Sequence, residues 1–226
     1  MTALSLFVTA SGTEIGKTYV STGLIRALRA RGREVMALKP LITDFTDETA
    51  PTSDTALMLE ALGREVTGEA MAELSPWRYV AALAPDMAAA REGKAVPYDE
   101  VIAFCARHRD AAGDGTVLIV EGAGGVLVPV DGTHTMRDFM KDLAATPILV
   151  VGSYLGTISH TLTALEALQS SGLDPLAIMV SETPDAGIPL QDTCDAIRRF
   201  TGDVPVIAVP RDDQDAFARL ADLVPA

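Results

Sequence analysis

The feature that most constrains this chain is the stretch LSLFVTASGTEIGKT, residues 4–18. An apolar segment, Leu4–Thr9, runs into a loop of small and polar residues that ends in Gly16–Thr18, at the start of a predicted helix. The pattern G-x-x-x-x-G-K-[ST] places a glycine where this chain has Ser11, and a loop one residue longer places it at Ala10. The second half of a phosphate-binding loop is therefore present between a strand and a helix, and its first glycine is missing.

The physical chemistry of this loop favours phosphate. A helix N-terminus offers free N–H groups and the positive end of the helix dipole to an anion, and Gly12 and Gly16 let the backbone approach closely. Lys17 adds a cation near the β- and γ-phosphates of a nucleotide, and the Thr18 hydroxyl is a typical Mg²⁺ ligand. The alternative is an ordinary helix start with a threonine cap and a solvated lysine. The apolar strand before the loop and the apolar-periodic helix after it favour phosphate binding.

The charge and composition of the chain limit its partners. The 226 residues carry 18 basic and 31 acidic side chains, a net charge of −13, which argues against non-specific binding to nucleic acid or to an anionic membrane. An anionic nucleotide therefore needs a local positive site. Cys105 and Cys194 lack metal-ligand spacing, and no apolar run reaches the roughly 18 residues of a membrane span. Because no basic region precedes the first strand, we expect no signal peptide and a soluble, cytoplasmic protein.

Apolar runs suited to buried strands alternate with amphipathic helices along the chain. This alternation predicts an α/β fold with a mostly parallel central sheet and right-handed crossovers, in one domain spanning 1–226. We expect a surface loop at 41–53, which is polar and turn-rich, and two short helices within 64–94. The predicted strands are 4–9, 34–39, 116–120, 147–151, 175–180 and 204–208, and the longer predicted helices are 16–31, 54–63, 97–109, 159–170, 190–200 and one from about 212.

Polar residues follow several predicted strands, at the edge where parallel sheets bind ligands. Glu121 comes directly after the apolar run 116–120, where an unpaired carboxylate is costly, and a Mg²⁺ held by Thr18 and phosphate would compensate its charge. The alternative is a rim carboxylate bound by the N–H groups of the glycines that follow it. Lys39 ends the second strand, either as an edge lysine with its head in water or as a second cation for a charged substrate. Its place beside the loop favours the second interpretation.

Two predicted helix starts remain open between a structural role and a binding role. Asp54 begins the helix 54–63, either as its N-cap or as a metal ligand. Gly156–Ser159 opens another helix, whose N–H groups could take a carboxylate or phosphate, or which could be an ordinary capped start. His108 and His160 fit helix surfaces better than a ligand role, and no Ser-His-Asp or His/Cys metal cluster can be assembled from the sequence.

Six segments together resemble one known family, the dethiobiotin synthetases. The similarity covers nearly the whole chain, and the order T-E-I-G-K-T, K-P, S-D and V-E-G-A-G-G is highly specific, although each motif alone is weak. The segments are FVTASGTEIGKT (7–18), LKP (38–40), TSDT (52–55), VEGAGGVLVP (120–129), PILVVGSYLGTISHTLTALEAL (147–168) and VPVIAVP (204–210).

The resemblance implies a homodimer with a P-loop NTPase-like three-layer α/β/α fold, acting as an ATP-dependent cyclo-ligase in biotin biosynthesis. Its substrates would be 7,8-diaminononanoate, CO₂ and Mg-ATP. One substrate amine would be carboxylated to a carbamate, whose oxygen attacks the γ-phosphate to give a carbamic–phosphoric anhydride. The second amine would then close the ring and expel phosphate. Positioning and charge neutralisation would supply most of the catalysis.

The resemblance also implies roles for individual residues. Lys17 would be catalytic at the transferring phosphoryl group, and Thr13 and Lys39 would be catalytic at the carbamate. Mg²⁺ would be held by Thr18, Asp54 and Glu121. The nucleotide would contact Gly12, Thr13, Glu14, Ile15, Gly16, Lys17, Thr18, Glu121, Gly124, Ser181 and Pro210. The diaminononanoate would contact Thr13, Lys39, Thr43 and Gly124, and across the dimer interface its carboxylate would reach Gly156, Thr157, Ile158 and Ser159.

The sequence departs from the family pattern at three places. Ala10 replaces the first loop glycine, and we expect strain or an altered phosphate grip there. Pro85 and Asp86 stand where family members often have Pro-His. Ser181 stands where many members have an asparagine that reads adenine. Because a hydroxyl lacks the two-sided hydrogen-bonding edge of an amide, we expect a weaker preference for ATP over other nucleotides.

Three other functions compete with this one. A related P-loop amidoligase of cobalamin-type synthesis normally carries a glutaminase domain, for which these 226 residues leave no room. A ParA/MinD-like ATPase switch carries an additional lysine early in the loop, and residues 10–16 contain none. The net charge of −13 also argues against the membrane or DNA surface of such switches. A nucleotide-binding protein without ligase activity is disfavoured by the placement of Glu121 and Lys39.

Overall fold

The computed structural model describes residues 3–211 and 213–225. The strands of this part are β1 Leu4–Ala10, β2 Val35–Leu38, β3 Leu41–Ile42, β4 Trp77–Arg78, β5 Val117–Glu121, β6 Thr146–Gly152, β7 Ala177–Ser181 and β8 Val206–Val209. A six-stranded sheet has the order β2-β5-β1-β6-β7-β8, and each neighbouring pair in it is parallel. The predicted parallel sheet is therefore confirmed. The short strands β3 and β4 pair separately, also in parallel.

The helices lie between the strands along the chain, as the alternating pattern predicts. The helices of the described residues are α1 Lys17–Ala30, α2 Asp54–Ala61, α3 Gly68–Leu74, α4 Pro85–Arg91, α5 Tyr98–Ala111, α6 Met136–Asp142, α7 Thr157–Gln169, α8 Leu190–Arg198 and α9 Asp215–Leu223. Of these helices, none combines the length and the apolar character needed to cross a bilayer.

The central sheet is covered by helices on both faces. Along β1, Phe7 belongs to one buried cluster and Leu6 and Val8 belong to the other, which is the two-residue alternation of a strand. Phe7 packs edge-on against Phe139 of α6, with ring centroids 5.2 Å apart. In the second cluster, Phe217 of α9 is 1% exposed and packs with the residues of α1. The predicted three-layer α/β/α fold is therefore confirmed.

The predicted element boundaries agree with the structure to within a few residues, but some short elements were missed. The expected plain loop at 41–53 is wrong, since it contains β3 and a 3₁₀ turn, Ala50–Thr52, both too short to show a period. Helix α6 was not predicted, although its start carries a capping box in which the Asp138 carboxylate accepts from the Thr135 N–H at 2.7 Å. The predicted start of the last helix, about residue 212, lies outside the described residues.

Candidate active site

The loop between β1 and α1 takes its shape from two residues in the left-handed region. Glu14 has a φ of 58° and Gly16 a φ of 104°, and Gly16 is the N-cap of α1. Gly16 also has to lack a side chain, because a Cβ there would come within 2.9 Å of the Ser181 hydroxyl. The loop thus leads into the N-terminus of α1, whose first N–H groups have no intrahelical partner and suit an anion.

Ala10 does not carry the strain expected from its missing glycine. It is the last residue of β1, it is fully buried, and its carbonyl accepts from the Val126 N–H at 3.0 Å. The residue that must be small at this point is Gly125, where a Cβ would lie 3.1 Å from the Ala10 carbonyl oxygen. The expectation of strain at Ala10 is therefore wrong, because extended backbone accommodates a Cβ and the glycine run after β5 provides the room.

Three charged side chains and a hydroxyl meet beside the loop, from different parts of the chain. The Lys39 ammonium, just after β2, donates to Glu121 Oε1 at 2.6 Å, to the Gly122 carbonyl at 3.1 Å and pairs with Asp54 Oδ2 at 2.8 Å. The Thr18 hydroxyl lies 2.7 Å from Asp54 Oδ1 and 3.0 Å from Glu121 Oε1. The predicted metal ligands are thus brought together, and the same lysine holds both carboxylates.

This geometry decides between the interpretations that the sequence left open. Ser53 caps α2, since its side chain accepts from the Ala56 N–H at 3.3 Å, so the interpretation of Asp54 as the N-cap is wrong. Lys39 is only 3% exposed, which excludes an edge lysine with its head in water. Glu121 is the last residue of β5 rather than the residue after it, and its carboxylate contacts side chains of the cluster.

Burial and mutual attraction shift the pKa values of this cluster in different directions. Burial alone would lower the pKa of Lys39, but the carboxylates of Glu121 and Asp54 outweigh it and raise the pKa above its ordinary value. Burial alone would raise the pKa of Asp54, but the Lys39 ammonium outweighs it and lowers the pKa to about 2. Burial and the neighbouring Lys39 ammonium lower the pKa of Lys17 to about 8. Lys17 therefore loses its proton at a lower pH than Lys39 does.

The donor atoms of this cluster fit a magnesium ion. Glu121 Oε2 is buried and has no hydrogen-bond partner among the described residues, and an unpartnered buried carboxylate oxygen is costly unless a cation satisfies it. The Thr18 hydroxyl and the Asp54 carboxylate beside it are oxygen donors of the kind Mg²⁺ prefers. Within residues 3–211 and 213–225, no group of three or more His, Cys, Asp or Glu side chains could hold a metal. The cluster therefore suits a metal that takes further ligands from a nucleotide and water.

A cleft of about 740 Å³ opens beside the cluster and the loop. Four of the eight residues predicted to contact the substrate line this cleft together, namely Thr13, Lys39, Thr43 and Gly124. Sequence reasoning missed its apolar side chains, which come from three separate segments and share no local pattern. These apolar residues include Ile42, Leu83, Pro85 and Val128. The cleft therefore combines cations with a surface that suits an alkyl chain.

A second cavity, of about 850 Å³, shares the loop residues with the first. Ser181 lines it, as predicted for a nucleotide contact, whereas Pro210 is not among its lining residues and the neighbouring Arg211 is. Sequence reasoning missed Tyr19 and Tyr154. His160 lies exposed on helix α7, as predicted, and it also lines this cavity, with its Nδ1 3.0 Å from the Tyr154 hydroxyl. The phosphate loop thus separates two cavities, one lined by cations and one by aromatic side chains.

Residues 156–159, at the start of α7, are not among the lining residues of either cavity. Gly156 is its N-cap with a φ of 95°, and the hydroxyl of buried Thr157 donates to the Gly152 carbonyl at 2.7 Å. Leu155 and Ile158 expose 85% and 37% of their surface, so an apolar patch surrounds this helix start. The predicted carboxylate contacts at Gly156–Ser159 are therefore not brought together with the cleft that the other predicted substrate contacts line in the same chain.

The fold and the site together define a class of protein. A parallel sheet with a Gly-Lys-Thr loop after its central strand, and a carboxylate at the end of the adjacent strand, is the arrangement of P-loop nucleotide-binding proteins. Solved structures agree: the chain is similar to HypB from Helicobacter pylori in complex with nickel, with a TM-score of 0.55 at 12% identity over 97% of this chain and 84% of that one. It is also similar to the cell division ATPase MinD from Pyrococcus furiosus, with a TM-score of 0.53 at 20% identity over 97% of both chains.

Sequence comparison then identifies the family. The model of a family described as AAA domain matches residues 5–214. The ATP-dependent dethiobiotin synthetase BioD of Methylobacterium nodulans is 46% identical over 92% of this chain and 93% of the relative. The protein of the same name from Acidiphilium cryptum is 42% identical over 88% of this chain and 89% of the relative. The chain belongs to the dethiobiotin synthetase family, a family of ATP-dependent ligases, and the likeness to MinD and HypB concerns the fold alone.

Proposed function

We propose that this protein makes dethiobiotin from 7,8-diaminononanoate, CO₂ and Mg-ATP, through a carbamate and a carbamic–phosphoric anhydride. The observation that carries this proposal is the cluster of Lys39, Glu121, Asp54 and Thr18, which joins the phosphate loop to a cleft with both cations and apolar walls. A carbamate that accepts a phosphoryl group needs cations beside it, because both the carbamate and the triphosphate are negatively charged and repel each other. The relatives named dethiobiotin synthetase support the same reaction.

The loop residues would hold and neutralise the triphosphate. The N–H groups of Gly12–Lys17 would bind its oxygens, and the Lys17 ammonium would neutralise charge on the transferring phosphoryl group. Thr18, Asp54 and Glu121 would hold Mg²⁺, which supplies charge neutralisation on the nucleotide phosphates. The orphaned Glu121 Oε2 supports this assignment.

The cleft would hold the diamine and its carbamate. Thr13 and Lys39 would contact the carbamate oxygens, and Thr43 and Gly124 would contact the substrate near them, since all four line one cleft. The alkyl chain would pack against apolar residues such as Ile42 and Val128 in the same cleft, which removes apolar surface from water. Positioning both reactants on the two sides of one loop lowers the entropic barrier to their reaction.

The nucleotide base would lie in the second cavity, and its selectivity is expected to be weak. The Ser181 hydroxyl is short and lies close to Gly16, and Glu182 Oε2 already accepts from the Arg211 N–H at 3.0 Å. We expect kcat/KM values for ATP, CTP and GTP within about tenfold of one another, since one bidentate base contact is worth about 1–3 kcal/mol. Ser181→Asn should increase the preference for ATP, whereas Ser170→Asn, at the far end of α7, should not. A strong preference for ATP in the unaltered enzyme would contradict this expectation.

A homodimer would complete the site at the start of α7. The exposed Leu155 and Ile158 support an interface there, because a large apolar side chain that is 85% exposed costs free energy unless a partner covers it. The N–H groups of Gly156–Ser159 would then bind the substrate carboxylate across the interface.

The proposed dimer is tested by placing a charge in this apolar patch. Leu155→Asp should convert the dimer to a monomer in analytical ultracentrifugation and raise the KM for the diamine much more than the KM for ATP. The matched control is Phe200→Asp, which changes another exposed apolar residue, 62% exposed at the end of α8. A monomeric unaltered protein with full activity would refute the interface.

Domain organisation and location are further parts of the proposal. We propose one domain over 1–226, because the described helices pack on the two faces of a single six-stranded sheet. The cytoplasm is the proposed location, since ATP is a co-substrate and both cysteines, Cys105 and Cys194, are free thiols.

The proposed reaction is tested by supplying the protein with diaminononanoate, bicarbonate and Mg-ATP. We expect dethiobiotin and phosphate to form in a 1:1 ratio, because each ring closure expels one phosphate. Omission of the diamine should reduce phosphate release to background. Phosphate release unaffected by the diamine would refute the proposed reaction and favour the alternative of a ParA/MinD-like ATPase switch.

A further inference from the structure

The Lys39 ammonium lies between the two carboxylates that are proposed to hold Mg²⁺. It is 2.6 Å from Glu121 Oε1 and 2.8 Å from Asp54 Oδ2, and its side chain is 4% exposed. These are short, charge-assisted contacts. Lys39 therefore already serves as the cation of this carboxylate pair.

Two cations cannot share these carboxylates without cost. The Glu121 side chain is fully buried, and the same Glu121 oxygen that binds Lys39 also lies 3.0 Å from the Thr18 hydroxyl, the third proposed metal ligand. A divalent ion bound there would stand next to a buried ammonium of like charge, and screening by water is weak at such a site. The two carboxylates therefore bind the Lys39 ammonium or the metal ion alone more favourably than they bind both at once.

We propose that Lys39 leaves Asp54 and Glu121 when these carboxylates bind the metal–nucleotide complex, and that its ammonium then turns into the substrate cleft. This inference rests on the proposed function. Lys39 lines that cleft together with Thr13, and its four-carbon stem is flexible enough for a local turn of the ammonium. A ligand shifts a side chain between two positions only when its binding free energy differs between them. Here the difference would come from the repulsion between the metal ion and the Lys39 ammonium beside the same two carboxylates.

The exchange would link the two halves of the site. In the ligand-free protein the ammonium binds Asp54 and Glu121, and binding of the metal–nucleotide complex would make it available to the carbamate. Lys39 acts as a reporter of metal–nucleotide binding as well as a contact for the substrate.

The chain suits a direct test, because it has only four lysines, at positions 17, 39, 94 and 141. Lysine labelled with ¹⁵N gives side-chain ammonium signals by NMR, and Lys39→Arg identifies the Lys39 signal by its loss. Without ligands this signal should be protected from exchange with water, since the ammonium donates to three acceptors. ADP with a chelator should leave it protected, and ADP with Mg²⁺ should shift it and accelerate its exchange. Lys94, paired with Glu92 elsewhere, is the internal reference.

A Lys39 signal that stays protected with Mg²⁺ and ADP would overturn the exchange. A second measurement uses Mn²⁺ alone and electron paramagnetic resonance to compare Lys39→Met with Lys17→Met. Lys39→Met should bind Mn²⁺ about tenfold or more tightly than the unaltered protein, as neighbouring charges shift cation affinity by roughly one to three logarithmic units. Lys17→Met, which removes a nearby charge without freeing the carboxylates, should have a smaller effect. Equal effects of the two variants would also overturn the exchange.

These readouts do not require the diamine. Loss of dethiobiotin formation with an intact Lys39 exchange would refute the proposed function and leave the exchange standing. Dethiobiotin formation with a motionless Lys39 would refute only the exchange.

Discussion

Lys39→Met is expected to lower kcat for dethiobiotin formation by about 10²–10³-fold, the usual effect of removing one preorganised charge from a transition state. The same change should destabilise the protein in the absence of metal and nucleotide. Its ammonium holds a fully buried Glu121 and a carboxylate of Asp54 that is 40% exposed. Removing one partner of a buried ion pair lowers the free energy of unfolding by about 3–5 kcal/mol. Because Asp54 is partly exposed, we expect a loss near the lower end of this range for Lys39→Met.

Steady-state kinetics and urea unfolding in a chelating buffer measure both effects. The matched control is Lys94→Met, because Lys94 pairs with Glu92 at 2.7 Å but is 61% exposed, and we expect no change in kcat or in the unfolding midpoint. Full activity of Lys39→Met would show that Lys39 has no catalytic role. Lys39→Met with unchanged stability would mean that the pair contributes nothing to the fold.

Lys17→Met is expected to reduce kcat to a similar degree, by about 10²–10³-fold, while making the ligand-free protein more stable. Both variants remove one positive charge and keep an apolar stem, so they form a matched pair with opposite effects on stability. The reason lies in the electrostatics of the free site, where burial and the Lys39 ammonium lower the pKa of Lys17 to about 8. A charged Lys17 therefore costs on the order of 3 kcal/mol of folding free energy at neutral pH.

The stability difference between the unaltered protein and Lys17→Met should depend on pH. Lys17 has an ordinary pKa of 10.5 in the unfolded chain and a pKa of about 8 in the folded one. Between these values the unfolded chain binds more protons, so the stability of the unaltered protein rises with pH relative to Lys17→Met. The advantage of the variant should be full below about pH 8 and fade towards pH 10.5. Urea unfolding of both proteins from pH 7 to pH 10 measures this difference, and a pH-independent difference would refute the assignment.

Much of the site could be predicted because its residues stand where the chain pattern itself is informative. Lys39 directly follows one strand of the parallel sheet and Glu121 ends the neighbouring strand, and such strand ends meet at one edge. The glycine–lysine–threonine sequence between an apolar strand and a periodic helix is a local signal as well. The fold could be predicted from the apolar runs of the strands, because these runs are long enough to indicate burial on both faces of the sheet.

The remainder depends on contacts between distant segments. Asp54 looks the same in sequence as a cap or as a metal ligand, and its contacts with Lys39 and Thr18, from distant parts of the chain, favour the second role. The second cavity joins Tyr19, Tyr154 and Arg211, which lie in three separate parts of the chain and share no motif. Strain was expected at Ala10 from its missing glycine, whereas the crowded position is Gly125, on the neighbouring strand's loop. Tertiary packing sets these features, and no local pattern encodes them.

Attack of a carbamate oxygen on the γ-phosphate is the step that distinguishes this reaction, and the coupled assay follows that oxygen when the bicarbonate carries ¹⁸O. Phosphate is analysed by mass spectrometry at times short enough to precede exchange of the label with water. Because the attacking oxygen stays with phosphorus when the second amine expels phosphate, each phosphate formed with the diamine should contain one ¹⁸O from the labelled bicarbonate. Unlabelled phosphate accompanied by dethiobiotin, or phosphate release without dethiobiotin, would contradict the account.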